Sequence, residues 1–381
     1  MLICLGRPVR VCHIRTGAAS LVIRTHASAG GKAAGTDSDE RPSLRAIDLA
    51  LKHRQGRQNG RANSGRSDHA VPNSSVPLSQ LQKRVSELRQ FTQQLQNVHP
   101  NVLAKHLHRG LIYPHPELAV INKPYGIHVQ DGSKANTISD VLPIISKMMD
   151  GMKAESQLHV CLGLDKEATG TLLLARTTEA LEYVQILHRN HQVQRRYWVV
   201  TVGVPVPSEG VIDIPVIERQ VTGAQPHFKM GLSPVYRASD GGEGVTKVRA
   251  NRHAQEAVTQ YRVLESSNGC SLVELQPITG VKHQLRVHMA YGMGCPILGD
   301  HKYSHWIKLA PQKLPDGVLR KLGLEQSKAR YLPLHMHARQ LTLPEFKGQS
   351  DITVSCSLPK FFTGTLRRLQ IPIPDKKEDD Q

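Results

Sequence analysis

Leu158-His159-Val160-Cys161-Leu162-Gly163-Leu164, Asp165-Lys166-Glu167-Ala168-Thr169-Gly170, Thr171-Leu172-Leu173-Leu174-Ala175: in this stretch two apolar runs flank a polar turn. Short apolar runs bounded by Gly and turn formers read as strands. Upstream, residues 118–121 form another apolar strand, which runs into Asn122-Lys123-Pro124-Tyr125-Gly126, a turn by its Pro and Gly. Downstream, Ala180, Leu181, Val184 and Leu187 share one helix face, and residues 197–202 make a further strand. Residues 257–264 mix β-branched and aromatic side chains as strands do, and residues 272–275 follow after Ser267-Asn268-Gly269. Strands joined mostly by short turns, with helices between some of them, predict an α+β domain on a largely antiparallel sheet. The sequence shows neither regular βαβ alternation nor an internal repeat.

Leu81, Val85, Leu88, Phe91 and Leu95 recur at steps of three and four, which predicts an amphipathic helix ending near His99-Pro100 and packing on the main domain. Residues 37–78 are rich in Gly, Ser, Asn, Arg and Gln and read as a disordered linker, too polar to offset the entropy of ordering. Residues 1–36 carry Arg7, Arg10, Arg15, Arg24 and Lys32 and no acidic residue, the composition of a mitochondrial transit peptide. The expected organisation is that transit peptide, the linker, a helical segment over 79–108, a main domain over 109–374 and a charged mobile tail over 375–381. The mitochondrial matrix is the expected address, with a second nuclear or cytoplasmic pool left open.

Across 381 residues Lys and Arg number 49 against 32 Asp and Glu. Residues 1–78 hold 12 basic and 5 acidic side chains, so 37 and 27 remain for the folded part. That surplus favours a polyanion, because neutralised phosphates release counterions. Aromatics at 4% argue against a stacking platform as the mode of binding. No apolar run approaches the roughly 20 residues of a membrane span. The six cysteines, at 4, 12, 161, 270, 295 and 356, include no C-x-x-C pair, so neither a zinc site nor a disulfide framework is expected.

Taken singly, the chemical candidates are ordinary. Asp165 sits among turn formers. Thr279 reads as the N-cap of a helix over 281–290 whose Val281, Leu285 and Met289 share a face, with Lys282 and Arg286 side by side on its flank. His335 and His337 read as hydrogen-bonded strand residues, not metal ligands.

Their order is more informative. Lys123-Pro124-Tyr125-Gly126, Leu164-Asp165 with Thr169-Gly170, Arg196-Tyr197, Thr279-Gly280-Val281-Lys282-His283-Gln284-Leu285-Arg286-Val287-His288, Pro296-Ile297-Leu298-Gly299-Asp300-His301-Lys302-Tyr303 and His337-Ala338 follow one another. That succession, over residues 111–369, resembles the RluA-type RNA pseudouridine synthases. The resemblance implies a pseudouridine synthase fold, with a mixed, mainly antiparallel sheet, a central cleft and flanking helices over 109–374. It implies no metal and no organic cofactor.

The implied reaction breaks the N1–C1′ bond of a uridine, turns the base and rejoins it through C5. The resemblance assigns Asp165 to the sugar, as nucleophile or as stabiliser and base. It assigns Arg286 to holding that carboxylate ionised, and Tyr197 to the face of the base as a proton relay. Lys123, Lys282, His283, Gln284 and Leu285 are expected to bind substrate, Leu285 as a wall of the pocket. The chain departs from the family at Leu162-Gly163, where His-Arg is usual and the arginine helps hold the flipped nucleotide's space. The implied partner is mitochondrial ribosomal or transfer RNA rather than DNA, together with other mitochondrial RNA-processing proteins. The implied role is in ribosome assembly and translation. The reading from a different class is an RNA-binding assembly factor that keeps the fold and has lost the chemistry.

Overall fold

The computed structural model describes residues 79–130, 136–151, 157–221, 227–233, 236–238, 245–247, 252–306, 308–348 and 350–374. All of them lie within the second of the two units into which the chain divides, Ser75–Gln381. The expected transit peptide, linker and C-terminal tail fall outside the described residues.

Helix α1 (Gln80–Asn97) is started by a capping box in which the Ser79 hydroxyl accepts from the Gln82 N–H. His99-Pro100 ends it as expected but also opens α2 (Pro100–Arg109), with Pro100 at the first-turn position where its missing N–H costs nothing. Then follow β1 (Leu111–Pro114), β2 (Leu118–Lys123), α3 (Ile138–Asp150), β3 (His159–Val160), β4 (Thr169–Ala175), α4 (Thr178–Arg189), β5 (Gln194–Val202) and β6 (Glu209–Asp213). Two side hairpins, β7 (Val216–Val221) with β8 (His227–Leu232) and β9 (Tyr236–Ala238) with β10 (Val245–Lys247), precede β11 (Val258–Ser267) and β12 (Cys270–Pro277). The chain ends with α5 (Gln284–Val287), α6 (Asp316–Leu322), α7 (Gln326–Ala329), β13 (Met336–Leu343), β14 (Ile352–Ser355) and α8 (Lys360–Leu369).

The main sheet runs β1-β2-β4-β13-β5-β12-β11-β6, with β3 on β4 and β14 on β13. Among the described strands every pairing is antiparallel except β4 with β13. This is the expected α+β fold on a mixed, mainly antiparallel sheet with flanking helices.

Strand alternation distributes the core over both faces of this sheet. On β2, Ala119 and Ile121 pack under α2 and α3 with Leu103, Leu107, Ile138 and Val141, while Leu118 and Val120 pack with Ala180, Val184 and Leu187 of α4. On β5, Trp198 and Val200 pack against Leu81 and Val85 of α1 and Phe361, Phe362 and Leu366 of α8. Tyr197 and Val199 point the other way, toward Leu275, Leu285, Met289 and Met336. The N-terminal helix therefore packs on the main domain, as its spacing predicts.

The expected apolar run 158–164 is a strand only at His159–Val160, and the strand expected from Thr171 begins two residues earlier. The reason is the parallel contact: Thr169 and Gly170 pair with His337 and Ala338. A Cβ on Gly170, which has φ +109°, would lie 2.2 Å from the Ala338 carbonyl oxygen, so only glycine permits this approach.

Candidate active site

The segment 165–168 between β3 and β4 is a turn closed by the Ala168 N–H donating to the Asp165 carbonyl at 3.1 Å. Lys123, at the end of β2, holds it from beneath. Its Nζ donates to the carbonyls of Pro124, Lys166 and Ala168 at 3.0, 2.9 and 2.8 Å, and the side chain is fully buried. Burial pushes this ammonium down to about 7, against the pull of Asp165. Lys123 is thus a strut for the turn and not the substrate-binding group expected from sequence, since its buried amine is already enclosed by three carbonyls.

Arg286, on the one-turn helix α5, is buried beside this turn. It forms a fork with Asp300, Nε to Oδ2 at 2.8 Å and Nη2 to Oδ1 at 2.9 Å. Asp300 also accepts from the N–H groups of Lys302 and Tyr303, both at 3.0 Å. Burial alone would raise the Asp300 carboxyl, yet Arg286 and these donors hold it below its ordinary value. The Arg286 guanidinium lies 5.2 Å from the Tyr303 ring centroid, and its remaining edge faces two more carboxylates. Nη1 is 3.5 Å from Asp165 Oδ2, and Nη2 is 3.3 Å from Glu167 Oε2. Burial would lower the Arg286 pKa; Asp300 first, then Glu167 and Asp165, drive it upward, so the cation is permanent.

The 121 positions between Asp165 and Arg286 are therefore closed, but the tight partner of Arg286 is Asp300. Asp165 keeps a side chain 26% exposed and a longer contact, which leaves it available to a ligand. Across from it, Tyr197 shares one apolar cluster with Ala168 and Leu285. Burial pushes the Tyr197 phenol up, against the neighbouring Arg195 guanidinium, so it holds its proton at neutral pH.

His283 stands beside Asp165 as well, with Nε2 3.9 Å from Oδ1 and Nδ1 2.6 Å from the Tyr303 hydroxyl. Burial pushes its imidazole down to about 4, so the ring is neutral at physiological pH. Gln284 is not a free substrate ligand. Its Oε1 accepts from the Thr279 hydroxyl and the Val281 N–H, and its Nε2 donates to the Val258 carbonyl and Thr259 Oγ1. Those bonds replace the expected helix start. Thr279 is no N-cap, and α5 begins only after His283, which has a left-handed backbone (φ 55°), and gives way to a π-turn at His288–Gly292. Lys282 and Arg286 accordingly do not lie side by side: Arg286 is buried, whereas Lys282 is exposed and 3.4 Å from Glu218. Gly163 is exposed with no atom within 4 Å of an added Cβ, so the position is open where the family resemblance leads one to expect an arginine.

The sequence reading missed Asp300, Glu167 and Tyr303 as members of the site. Gly299-Asp300-His301-Lys302-Tyr303 carried a usable signal. A Cβ on Gly299 (φ +81°) would lie 2.0 Å from the Pro333 carbonyl oxygen, so this glycine seats the Asp300 loop against the chain before β13.

Residues 117–291 match the family model described as RNA pseudouridylate synthase. "Pseudouridylate synthase RPUSD4, mitochondrial" of Danio rerio is 61% identical over 304 residues, covering 79% of this chain and 85% of that protein. The protein of the same name from Homo sapiens is 54% identical, covering 80% and 81%. The chain belongs to the RNA pseudouridylate synthase family. A solved structure titled "Human RNA Pseudouridylate Synthase Domain Containing 4" superposes with a TM-score of 0.65 at 54% identity, over 72% of this chain and 98% of that one. The synthase is an isomerase acting on RNA. The turn with Asp165, the strand with Tyr197 and the helix with Arg286 all fall inside the matched region, while Asp300 lies beyond it.

Proposed function

We propose that this chain is a mitochondrial RNA pseudouridine synthase of the matrix. It modifies uridines of ribosomal or transfer RNA, supports ribosome assembly and translation, and works beside other mitochondrial RNA-processing proteins. The acid-free basic segment 1–36 and the mitochondrial names of the Danio rerio and Homo sapiens relatives support the address.

Asp165 is the group at the sugar, and one observation carries that role: its carboxylate is open to a ligand yet 3.5 Å from an arginine that Asp300 has locked. The target uridine must leave its stack to reach it. The N1–C1′ bond then breaks with its electron pair remaining on the uracil, the base turns, and C5 forms the new bond to C1′. C5 loses a proton and N1 gains one, so the isomerisation balances without an oxidant or reductant. Asp165 acts as nucleophile at C1′ or as stabiliser and base at the sugar. Tyr197, protonated and packed beside Leu285, lies against the base and relays the proton. Arg286 stays beside Asp165 throughout.

Pseudouridine mapping of mitochondrial RNA with and without the protein tests this reading. Specific sites in ribosomal or transfer RNA disappear when the protein is absent and return when it is restored. An identical map in both conditions overturns the proposed substrates.

A further inference from the structure

A cavity of about 790 Å³ opens between α1, α2 and α8, three helices outside the region matching the family model, over a floor that lies within it. Arg84 of α1, Arg109 of α2, and Lys360 and Arg367 of α8 line it, with Glu87 as its one acidic residue. All four cations are exposed, and none forms an ion pair with a described residue. Between the charges lie Phe91, Tyr125 and Phe361, with Phe91 41% exposed. Gly364 lets Arg84 settle over α8: a Cβ there would lie 2.5 Å from Arg84 Nη1. The first turn of α8 enters the groove at Lys360 with no side chain capping it. Helix starts of this kind add polar N–H groups to the positive lining.

The floor of the groove is the underside of the catalytic turn. Lys123 and Tyr125 line it, and the same Lys123 amine binds the Lys166 and Ala168 carbonyls, while the Gly126 N–H donates to the Lys166 carbonyl at 2.9 Å. The lining fits a polyanion whose bases meet apolar and aromatic surface between phosphates.

We propose that this groove is a second RNA-binding site, which holds the sugar-phosphate backbone of the substrate away from the uridine being modified. The proposal rests on the synthase reading. Its contribution is to affinity and register, independent of sequence, because phosphate contacts position and base contacts specify.

The test uses the full chain and two uridine-containing single-stranded RNA probes, of 30 and of 5 nucleotides. Affinity is measured across a salt series, with kcat and KM for pseudouridine formation on the 30-mer. Arg84→Gln with Arg367→Gln removes two phosphate contacts, so the log–log salt slope for the 30-mer falls by about 1.4, at about 0.7 per contact on a single strand. Its affinity drops by about tenfold at moderate salt, KM rises in step, and kcat and the affinity for the 5-mer stay unchanged. Arg109→Gln with Lys360→Gln gives the same result through an independent pair, should the first pair unfold the protein in a thermal melt. Unchanged 30-mer affinity in both pairs overturns the proposal and leaves the groove to an acidic protein segment. Equal losses on both probes, or a fall in kcat, also overturn it, since the groove would then be part of the catalytic cleft. If the unaltered chain forms no pseudouridine on either probe while the salt slopes still differ, the reading of the substrate fails and the groove stands.

Discussion

Arg286 serves three carboxylates at once, and their geometry ranks them. Asp300 takes the two-pronged contact at 2.8 and 2.9 Å, Glu167 shares Nη2 at 3.3 Å, and Asp165 receives the remaining nitrogen at 3.5 Å. A charge so anchored stays put when Asp165 changes partners during a reaction, which is what preorganised electrostatics require. Asp300, buried and engaged with Arg286, is proposed as a positioning residue. Asp300→Asn keeps the shape and removes the charge, freeing Arg286 to turn wholly toward Asp165. Breaking a buried pair from one side costs about 3–5 kcal/mol of stability. Assayed well below its melting temperature, the variant loses about 10²-fold in kcat with KM nearly unchanged, the scale of loss expected when a reacting group is displaced by about 1 Å. A folded Asp300→Asn variant with unaltered kcat would refute this role.

Strand β13 joins the two halves of the sheet, and its buried histidines make that joint sensitive to acid. His337 Nδ1 is 2.8 Å from the Thr169 hydroxyl, and its Nε2 faces the Cys356 carbonyl. Just before β13, His335 Nδ1 lies 2.8 Å from the Pro333 carbonyl and Nε2 2.9 Å from the Thr365 hydroxyl of α8. Facing a carbonyl, one nitrogen of each ring must donate, and in the neutral ring the other accepts from the hydroxyl. Burial pushes both imidazoles down to about 4 from an ordinary 6.5. Between those values the unfolded chain binds protons that the folded chain refuses, so stability rises with pH there and is lost as pH falls from 6.5 toward 4. The urea midpoint should therefore drop between pH 7 and pH 5, most of which lies above the range where carboxylates protonate. A midpoint independent of pH over that interval would contradict the neutral-histidine joint.

At this scale the sequence was legible wherever a local pattern decided the outcome. The steps of three and four from Leu81 to Leu95 and the apolar residues of β2 and β5 gave helix and strands close to their observed bounds. The pattern failed where distant partners took over. Thr169 and Gly170 look like turn residues, but β13, some 168 positions away, recruits them into a strand. Residues 281–290 have helical spacing, but the Gln284 side chain bonds back to Thr279, Val281 and β11 and delays the helix. Lys123 is expected at the substrate and Arg286 on a helix flank beside Lys282, because nothing within a few residues of either shows that carbonyls and carboxylates from elsewhere will enclose them.

Over the whole molecule, positive charge and chemistry are separable. The surplus of basic side chains persists beyond residue 78, and RNA affinity built from many phosphate contacts does not depend on one carboxylate. The chemistry does. The ordered motifs pointed to Asp165, Tyr197 and Arg286, but the Asp300 fork on Arg286 became visible only in the folded chain. The proposed division of labour is that Asp165, beside Arg286, carries the reaction while the rest of the surface carries the RNA. Asp165→Asn isolates it, with a thermal melt to confirm folding, because the change also removes one partner of Arg286. The decisive measurement is pseudouridine formed per protein on a bound mitochondrial ribosomal or transfer RNA. The account predicts RNA affinity within about twofold of the unaltered chain and no detectable pseudouridine, and a folded variant that still converts uridine at a comparable rate would contradict it.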